Sequence, residues 1–418
     1  MKNLIQLNKK VTFHRCNLPG LWLLMFLFFM SSCFAGIKLQ KISSIPFDMI
    51  GNYVVIQVKI NDSPPLNLIL DSGIRNTLIT ELFPGDGITL TYSDVKELMG
   101  LGGGTRLEAY SSNFNTLKIG KISMTQKTVY VLKEDVFNIS KHTGSKINGI
   151  IGVDFFEGYI IEINYSSKRI NFYKKNELFQ PPKGYGLIPL IIEGKKMFME
   201  LTVLQSDSTH KKVKMLLDTG AELNGWFQSF KKESVHIPGN SVRGIIGQGL
   251  NGEIAGVFGR LPKICFGDFC LNNVIVSFPD SSSISDIVSN SARDGTIGSQ
   301  ILSRFNLIID FDNRKLYFKP NYNYDKPFIY NVAGIEIMQI IPFIPQTEVW
   351  LVWENSPAAI AGVKAGDKII EVNGQKAFQF EMGEIKRILE TPSKRPLTLT
   401  LLRDEKEIYV SIDMKSKL

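Results

Sequence analysis

The chain has 418 residues, of which 44% are apolar and 21% charged; this balance excludes an intrinsically disordered protein and predicts about three folded domains. The net charge of +8 would suit a nucleic-acid-binding protein, but Lys2, Lys9, Lys10 and Arg15 supply half of it in a segment without acidic residues. Without that segment the excess is +4 and forms no basic run, so no nucleic-acid partner is predicted.

The N-terminus has the pattern of an export signal. Basic residues precede the apolar run 21–30 (LWLLMFLFFM), and small residues follow it. The run is shorter than the roughly 20 residues that a membrane span needs. We favour cleavage after Ala35, which makes 1–35 a signal peptide. The alternative is a degenerate lipobox that leaves Cys33 as a lipidated N-terminus, the one membrane attachment that the sequence offers.

Two cysteines remain after such a cleavage, Cys265 and Cys270 in KICFGDFC. Gly267 and Asp268 between them are typical of a two-residue hairpin turn, which places the cysteines opposite each other. A disulfide fits there in an oxidising compartment, and two half-buried thiols are the alternative. No metal site is predicted, because two further ligands are missing nearby.

An internal repeat dominates the rest of the sequence. The segment LNLILDSG ends in Asp71-Ser72-Gly73, and VKMLLDTG ends in Asp218-Thr219-Gly220. Five pairs of features recur in the same order, the first three 147 residues apart and the last two 146 apart: Asp71 and Asp218, Gly100 and Gly247, Gly120 and Gly267, Gly152 and Gly298, Ile170 and Leu316. A unit of about 140 residues is therefore duplicated.

Each repeated unit has β patterns. In the segment 53–60, apolar residues at 56, 58 and 60 alternate with polar residues at 57 and 59. Short apolar runs end at each Asp loop, glycine-rich stretches mark hairpin tips, and short helices are expected after Gly152 and Gly298. The sequence predicts a mainly β protein with two barrel-like lobes.

A third segment differs from both lobes and begins after the polar run 321–327. Residues 354–375 (ENSPAAIAGVKAGDKIIEVNGQ) precede a helical stretch with Met382, Ile385, Ile388 and Leu389 on one face. Two strands, PLTLTLL and KEIYVSI, follow. This pattern predicts a small α+β domain.

Paired carboxylates can hydrolyse a peptide without a metal or a covalent nucleophile. Two close carboxyl groups cannot both ionise easily, so they hold one proton between them. One takes a proton from water while the other donates a proton to the carbonyl oxygen. Loops related by a pseudo-twofold axis would bring Asp71 and Asp218 together.

The neighbours of the two Asp residues suit that role. The hydroxyl of Ser72 or Thr219 can reach the opposite loop and fix its geometry. Gly73 and Gly220 allow backbone N–H groups to approach the carboxylates without a Cβ in the way.

These residues resemble the aspartic peptidases of the pepsin and retropepsin group over about residues 45–320. The resemblance implies that Asp71 and Asp218 are the catalytic pair, and that 150–152 and 296–298 form the strands behind the two Asp loops. It also implies two flap hairpins, whose residues are Gly100, Leu101, Gly102, Gly103, Gly104, Gly247 and Gly249. Two similar flaps favour a retropepsin-like fused dimer.

One position departs from that group. Ile74 follows the first Asp-Ser-Gly where the group usually has Ala, Ser or Thr, whereas Ala221 in the second lobe fits. Ile74 either crowds the cleft floor or packs inward. Because neither lobe has a hydroxyl there to stabilise the ionised pair, we expect a pH optimum nearer neutral than that of stomach-type enzymes.

The segment 354–375 resembles the PDZ signature of bacterial envelope proteases. We therefore expect lobes at 37–182 and 183–325 and a PDZ domain at 330–415. A loop that binds a peptide C-terminus falls on Gly334, Ile335, Glu336 and Ile337, where an ordinary loop fits equally well. The domain would dock a substrate tail, or cover the cleft until a peptide binds.

Other chemistries lack their residues. The histidines His142, His210 and His236 are scattered, without partners for a Ser or Cys triad, and we expect them on the surface. The motifs HExxH and GxSxG are absent. The run GLGGG at 100–104 lacks the Gly-Lys-Ser/Thr of a phosphate loop. No cofactor and no metal are predicted.

The sequence thus predicts an exported bacterial aspartic endopeptidase of the periplasm or cell envelope, which cuts exported or envelope polypeptides. A C-terminal peptide is the expected PDZ ligand. The alternatives are a non-catalytic peptide-binding adaptor with a degenerate cleft, and a peptidase with a single partner as substrate.

Overall fold

The computed structural model describes residues 40–98, 107–176, 179–230, 234–249, 252–284 and 291–418. The first lobe contains a short helix, α1 (Ile139–Thr143), and a 3-10 turn at Val153–Phe155. Its strands are β1 (Lys41–Pro46), β2 (Asp48–Ile50), β3 (Tyr53–Ile60), β4 (Leu66–Leu70), β5 (Thr77–Ile79), β6 (Tyr92–Leu98), β7 (Leu107–Ile119), β8 (Ile122–Leu132), β9 (Gly149–Ile151), β10 (Tyr159–Asn164) and β11 (Arg169–Lys174).

The second lobe contains the helix α2 (Ser299–Leu302) and a 3-10 turn at Ser281–Ser283. Its strands are β12 (Gly186–Pro189), β13 (Ile191–Glu193), β14 (Lys196–Leu204), β15 (His210–Leu217), β16 (Gly225–Phe227), β17 (Ser241–Gly249), β18 (Gly252–Phe266), β19 (Phe269–Pro279), β20 (Gly295–Ile297), β21 (Phe305–Asp310) and β22 (Lys315–Pro320). The short helices expected after Gly152 and Gly298 are therefore present as one 3-10 turn and α2.

The C-terminal unit contains two helices, α3 (Pro357–Ile360) and α4 (Met382–Glu390), and a 3-10 turn at Ala377–Gln379. Its strands are β23 (Ile335–Gln339), β24 (Thr347–Val352), β25 (Lys368–Val372), β26 (Gln375–Lys376), β27 (Leu397–Arg403) and β28 (Lys406–Ile412). They form one sheet in the order β23-β24-β25-β27-β28, with β26 paired to β25.

The two lobes have the same sheet order, as the sequence repeat predicts. The first sheet runs β2-β3-β4-β9-β5-β8-β7-β6, and the second runs β13-β14-β15-β20-β16-β19-β18-β17. A third sheet, β1-β11-β10-β21-β22-β12, takes three strands from each half of the repeat. Its central pair, β10 and β21, is antiparallel and joins the lobes, with Ile161 opposite Ile309.

Alternating polarity explains how these strands pack. In β3, Gln57 and Lys59 are exposed, while the apolar residues at 56, 58 and 60 are buried. Under the joining sheet, aromatic rings fill the core: Phe155 lies 5.4 Å from Phe172, and Phe305 lies 5.3 Å from Phe318 between ring centroids. Burying each ring contributes roughly 1.5–3 kcal/mol to folding.

The predicted cysteine hairpin is present. Cys265 in β18 is directly opposite Cys270 in β19, with 4.0 Å between their Cα atoms, and a disulfide joins them.

The helix α4 packs its predicted face inward. Met382, Ile385 and Leu389 are buried, and Ile388 is half-buried against the core. Ser356 caps α3 by accepting a hydrogen bond from the Ala359 N–H at 3.1 Å. Lys41–Leu418 forms one compact unit, so the C-terminal unit packs against the lobes.

The predicted signal peptide 1–35, with the alternative lipidation residue Cys33, and the predicted flap residues 100–104 lie outside the described residues. Within the described ranges, no helix combines the length and the hydropathy needed to span a bilayer.

Candidate active site

Each Asp loop is held by a strand that runs behind it. The strand β4 ends at Leu70 beside the parallel strand β9, and the Asp71 N–H donates to the Ile151 carbonyl at 3.0 Å. In the second lobe β15 lies beside β20, and the Asp218 N–H donates to the Ile297 carbonyl at 3.1 Å. The apolar-apolar-Gly elements therefore fix the start of both loops, as the resemblance implies.

The two loops also bond to each other across the lobe boundary. The Thr219 hydroxyl accepts from the Ser72 N–H at 3.0 Å and donates to the Leu70 carbonyl at 2.8 Å. The Ser72 hydroxyl accepts from the Thr219 N–H at 3.0 Å and donates to the Leu217 carbonyl at 2.7 Å. Both side chains are fully buried, so these four bonds hold one lobe's loop against the other's.

Asp71 and Asp218 meet head to head. Each carboxyl group shifts the pKa of the other, so the two interact directly. The Gly73 N–H donates to Asp71 Oδ1 at 2.6 Å, and the Gly220 N–H donates to Asp218 Oδ1 at 3.1 Å. A Cβ on Gly73 would lie 2.7 Å from Asp218 Oδ2, and one on Gly220 would lie 2.2 Å from Asp71 Cγ. Glycine is therefore required at both positions for the carboxyl groups to approach.

The two carboxyl groups lie in different electrostatic surroundings. Burial raises the pKa of Asp71 well above its usual range, and the charge of Asp218 raises it further. Burial also raises the pKa of Asp218, but the interaction with Asp71 and the charges of Arg293 and Lys196 lower it. The two carboxyl groups therefore titrate as a pair that holds one proton, and the two cations favour the ionised form of Asp218.

Arg293 is a cation of this cleft that the sequence analysis missed. Its side chain is only 6% exposed, and its guanidinium lies 5.1 Å from the Trp226 ring centroid. Burial lowers its pKa to about 10, and the charge of Asp218 opposes that shift. Arg293 precedes the motif DGTIG, but nothing in that spacing shows that its side chain lies near Asp218.

Tyr53 and Glu222 form a second missed contact. The Glu222 carboxylate accepts from the Asn52 N–H at 3.0 Å, and its charge acts on the Tyr53 side chain. Burial raises the pKa of Tyr53, and the charges of Glu222, Asp71 and Asp218 raise it further. The contact links the β2–β3 turn of the first lobe to Glu222 in the Asp218 loop of the second lobe.

Ile74 packs inward and also lines the cleft. It lies against a small cluster with buried Leu78, Ala109 and Leu132. Its backbone N–H bonds Asp71 and lowers the pKa of that carboxyl. The departure at this position therefore leaves the Asp loop intact.

The flap residues are only partly described. Gly247 and Gly249 lie in β17, which pairs with β18 as a long hairpin, and both line the cleft. In the first lobe, Leu98 of β6 pairs with Leu107 of β7 on either side of the undescribed residues 99–106.

One cavity of about 710 Å³ contains both carboxyl groups. Its volume is in the range of sites that hold a ligand of several residues. Tyr330, Glu336 and Trp353 of the C-terminal unit line it together with the two lobes. The C-terminal unit therefore forms part of the cleft wall.

The loop expected to bind a peptide C-terminus uses its amides internally. Asn331 Oδ1 accepts from the Gly334 N–H at 2.9 Å and from the Ile335 N–H at 3.4 Å. The Glu336 carboxylate accepts from Asn331 Nδ2 at 3.1 Å and from Trp353 Nε1 at 3.2 Å. A peptide carboxylate would have to replace the Asn331 oxygen. Ile337 follows in β23 and lines the cavity.

His142 is half-buried rather than exposed, so the surface prediction holds only in part for it. Its ring centroid lies 4.9 Å from that of Trp350, and burial lowers its pKa to about 4. His210 and His236 are exposed as expected. Among the described side chains, no group of three or more His, Cys, Asp or Glu residues is placed to hold a metal ion.

Two duplicated β-lobes that each deliver one Asp loop to a common cleft define the aspartic-peptidase fold class. The family model described as aspartyl protease matches residues 56–155 and again 202–301, and a PDZ domain model matches 351–403. The chain belongs to the aspartyl protease family and carries a C-terminal PDZ domain.

Two further comparisons give weaker likenesses. The crystal structure of an aspartic proteinase from Irpex lacteus is 14% identical, covers 68% of this chain and 98% of its own, and has a TM-score of 0.40. A curated protein of Mesorhizobium japonicum, named as a zinc metalloprotease, is 33% identical over 69 residues, 16% of this chain. The chain spans only 18% of the length of that relative, so the relative's activity is not carried over.

Proposed function

We propose that this protein is an aspartic endopeptidase in which Asp71 and Asp218 activate a water molecule. The observation that carries the proposal is the close approach of the Asp71 and Asp218 loops in one cleft, held by the reciprocal bonds of Ser72 and Thr219. A descendant that only binds peptides would have no need for two facing acids that must share a proton.

The cations Arg293 and Lys196 beside Asp218 support the assignment of roles within the pair. Ionised Asp218 takes a proton from the water molecule while the water oxygen attacks the peptide carbonyl carbon. Protonated Asp71 donates its proton to the carbonyl oxygen. The resulting diol is neutral. When the C–N bond breaks, Asp218 gives its proton to the leaving nitrogen and Asp71 recovers one from a diol hydroxyl. Both groups then return to their starting states.

An extended polypeptide is the substrate class that suits the cleft. The hairpin of β17 and β18 borders the cavity, and the PDZ domain extends its wall beyond the two Asp loops. The PDZ domain would dock a substrate segment next to the bond that is cut.

We further propose that the protein works in the periplasm or cell envelope of a bacterium, on exported or envelope polypeptides. The pattern of residues 1–35 supports export, with Cys33 as the lipid-anchor alternative. The Cys265–Cys270 disulfide also supports this location, because such bonds persist in oxidising compartments.

The test is hydrolysis of unfolded casein by the mature protein, with and without a pepstatin-type inhibitor. Cleavage that disappears with the inhibitor and in Asp218→Asn supports the proposal. Silence between about pH 4 and pH 8, with casein still bound, would instead favour the peptide-binding adaptor. Silence with no casein bound would favour a peptidase restricted to one partner.

A further inference from the structure

The PDZ domain has a groove between its edge strand β23 and its helix α4. The strand β23 pairs with β24 on one side and ends the sheet, and strand addition of a peptide uses such an edge. Ile335, Ile337 and Leu389 from the inner part of this groove line the same cavity as Asp71 and Asp218. The groove and the cleft are therefore continuous.

The first lobe occupies the outer part of this groove with α1 and its cap. The His142 ring packs on the Trp350 ring with 4.9 Å between centroids, and α1 lies against β23. Gly144, which caps α1 at φ +69°, leaves so little room that a Cβ there would lie 2.9 Å from Met382 Cβ and 3.1 Å from Gln339 Nε2. Helix and cap thus contact both walls of the groove.

The second lobe also holds the PDZ domain. The Trp353 ring stacks on Phe258 with 5.3 Å between centroids and 8° between planes. A Cβ on Gly244 would lie 2.4 Å from Trp353 Cε3, so this stack depends on a glycine in β17.

The end of the chain adds two hydrogen bonds to the second lobe. Asn240 Nδ2 donates to the Lys417 carbonyl at 2.8 Å, and Arg260 donates to the Leu418 carbonyl at 3.3 Å. The PDZ domain therefore contacts both lobes beside the cleft.

We propose that the PDZ groove is an interaction surface for this chain's own first lobe, and that α1 in the groove holds the cleft closed. The inference rests on the proposed function and adds its regulation. Departure of α1 would free the β23 edge and release one end of the cleft, while the stack on Phe258 keeps the domain attached. Because a long substrate must pass the PDZ wall, the closed fraction lowers its apparent affinity.

A reversible crosslink tests the closed state. In Gly144→Cys/Met382→Cys the two Cβ atoms would start 2.9 Å apart, and the disulfide forms once α1 moves out by about 1 Å to the usual Cβ–Cβ spacing. We expect the oxidised variant to cleave casein at least about tenfold more slowly than the same protein after reduction. Wild type with and without reductant is the control, because the Cys265–Cys270 disulfide also responds to reductant.

A second variant opens the contact without a new bond. His142→Ala removes the packing on Trp350, and should raise casein cleavage about threefold or more. The matched control is Tyr409→Ala, in an exposed position on β28 of the same domain. It should leave cleavage unchanged.

Binding separates this inference from the proposed function. In the Asp218→Asn background, labelled casein should bind at least about tenfold more weakly to the crosslinked form, whether or not the chain is a peptidase. Suppose that the crosslinked form binds casein more weakly, but that the protein with both Asp71 and Asp218 cleaves no casein in the crosslinked or the reduced form. That result would refute the peptidase function and leave the closure standing. Equal casein binding and equal casein cleavage by the crosslinked and reduced forms would overturn the closure. It would also be overturned if the crosslink never forms and His142→Ala cleaves casein at the wild-type rate.

Discussion

Ser72 and Thr219 bond to each other in both directions across the lobe boundary, each hydroxyl accepting from the other residue's N–H at 3.0 Å. Each hydroxyl then donates to the carbonyl that precedes the opposite Asp. One lobe alone cannot make these bonds. The carboxyl geometry at the cleft therefore depends on both copies of the repeat being present and in register.

Removal of one hydroxyl should loosen both loops. Thr219→Ala leaves the buried Ser72 N–H and the Leu70 carbonyl without that partner, which should cost about 2–4 kcal/mol of unfolding free energy. Denaturant unfolding measures the loss, and casein hydrolysis should fall with it. Thr219→Ser keeps the hydroxyl and is the control. Equal stability of the Ala and Ser variants would show that these bonds are not needed.

Loss of the Asp71 carboxyl should inactivate the protein yet stabilise it. The folded-state pKa of Asp71 lies above its unfolded value of about 3.9, so the wild type loses stability as the pH rises from that value towards the folded pKa. Asp71→Asn has no such loss. Its melting temperature should match wild type below about pH 3 and exceed it at pH 7, while activity falls about 1,000-fold or more. A variant less stable than wild type at pH 7 would contradict the raised pKa.

Arg293 should set the acid limb of the pH–rate profile. Its charge lowers the pKa of Asp218, the group that must be ionised. In Arg293→Gln that pKa rises, so the acid limb of kcat/KM should move to higher pH by about one unit. Arg293→Lys keeps the charge and should restore the limb. An unmoved limb in the Gln variant would exclude this role.

The wild-type profile follows from the same groups. Burial raises the pKa of both Asp71 and Asp218, so the singly protonated pair persists to higher pH than in two exposed carboxyl groups. We expect the optimum nearer neutral than in stomach-type enzymes. A maximum below about pH 3 in a casein assay would contradict this expectation.

The paired loops could be predicted from sequence because their information is local and repeated. Asp71 and Asp218 each sit in a short motif, and the 147-residue offset requires both motifs to play equivalent roles. The signature at 354–375 is likewise contiguous, and a family model matches a PDZ domain there. Elements whose signal lies in neighbouring residues could therefore be predicted from the sequence.

Contacts between elements that are distant in the sequence could not be predicted from it. Arg293 approaches Asp218 because β20 lies beside β15, and a strand pairing does not show where a flanking side chain points. The segment around His142 is polar, which indicates a surface, and the side chain is covered only because the PDZ domain packs on α1. Burial at a domain contact leaves no periodic pattern in either partner.

The docking of α1 should weaken in acid because of His142. Burial and the charges of Lys386 on α4 and Lys141 on α1 lower its pKa to about 4. The Ile337 backbone opposes this shift. An undocked histidine titrates near 6.5, so docking is fully stabilised above that pH and weakens as the pH falls from about 6.5 towards 4. Quenching of tryptophan fluorescence by acrylamide should rise over that interval, because Trp350 becomes accessible. His142→Gln cannot titrate and should show a flat response, and the same rise in that variant would assign the acid sensitivity to another group.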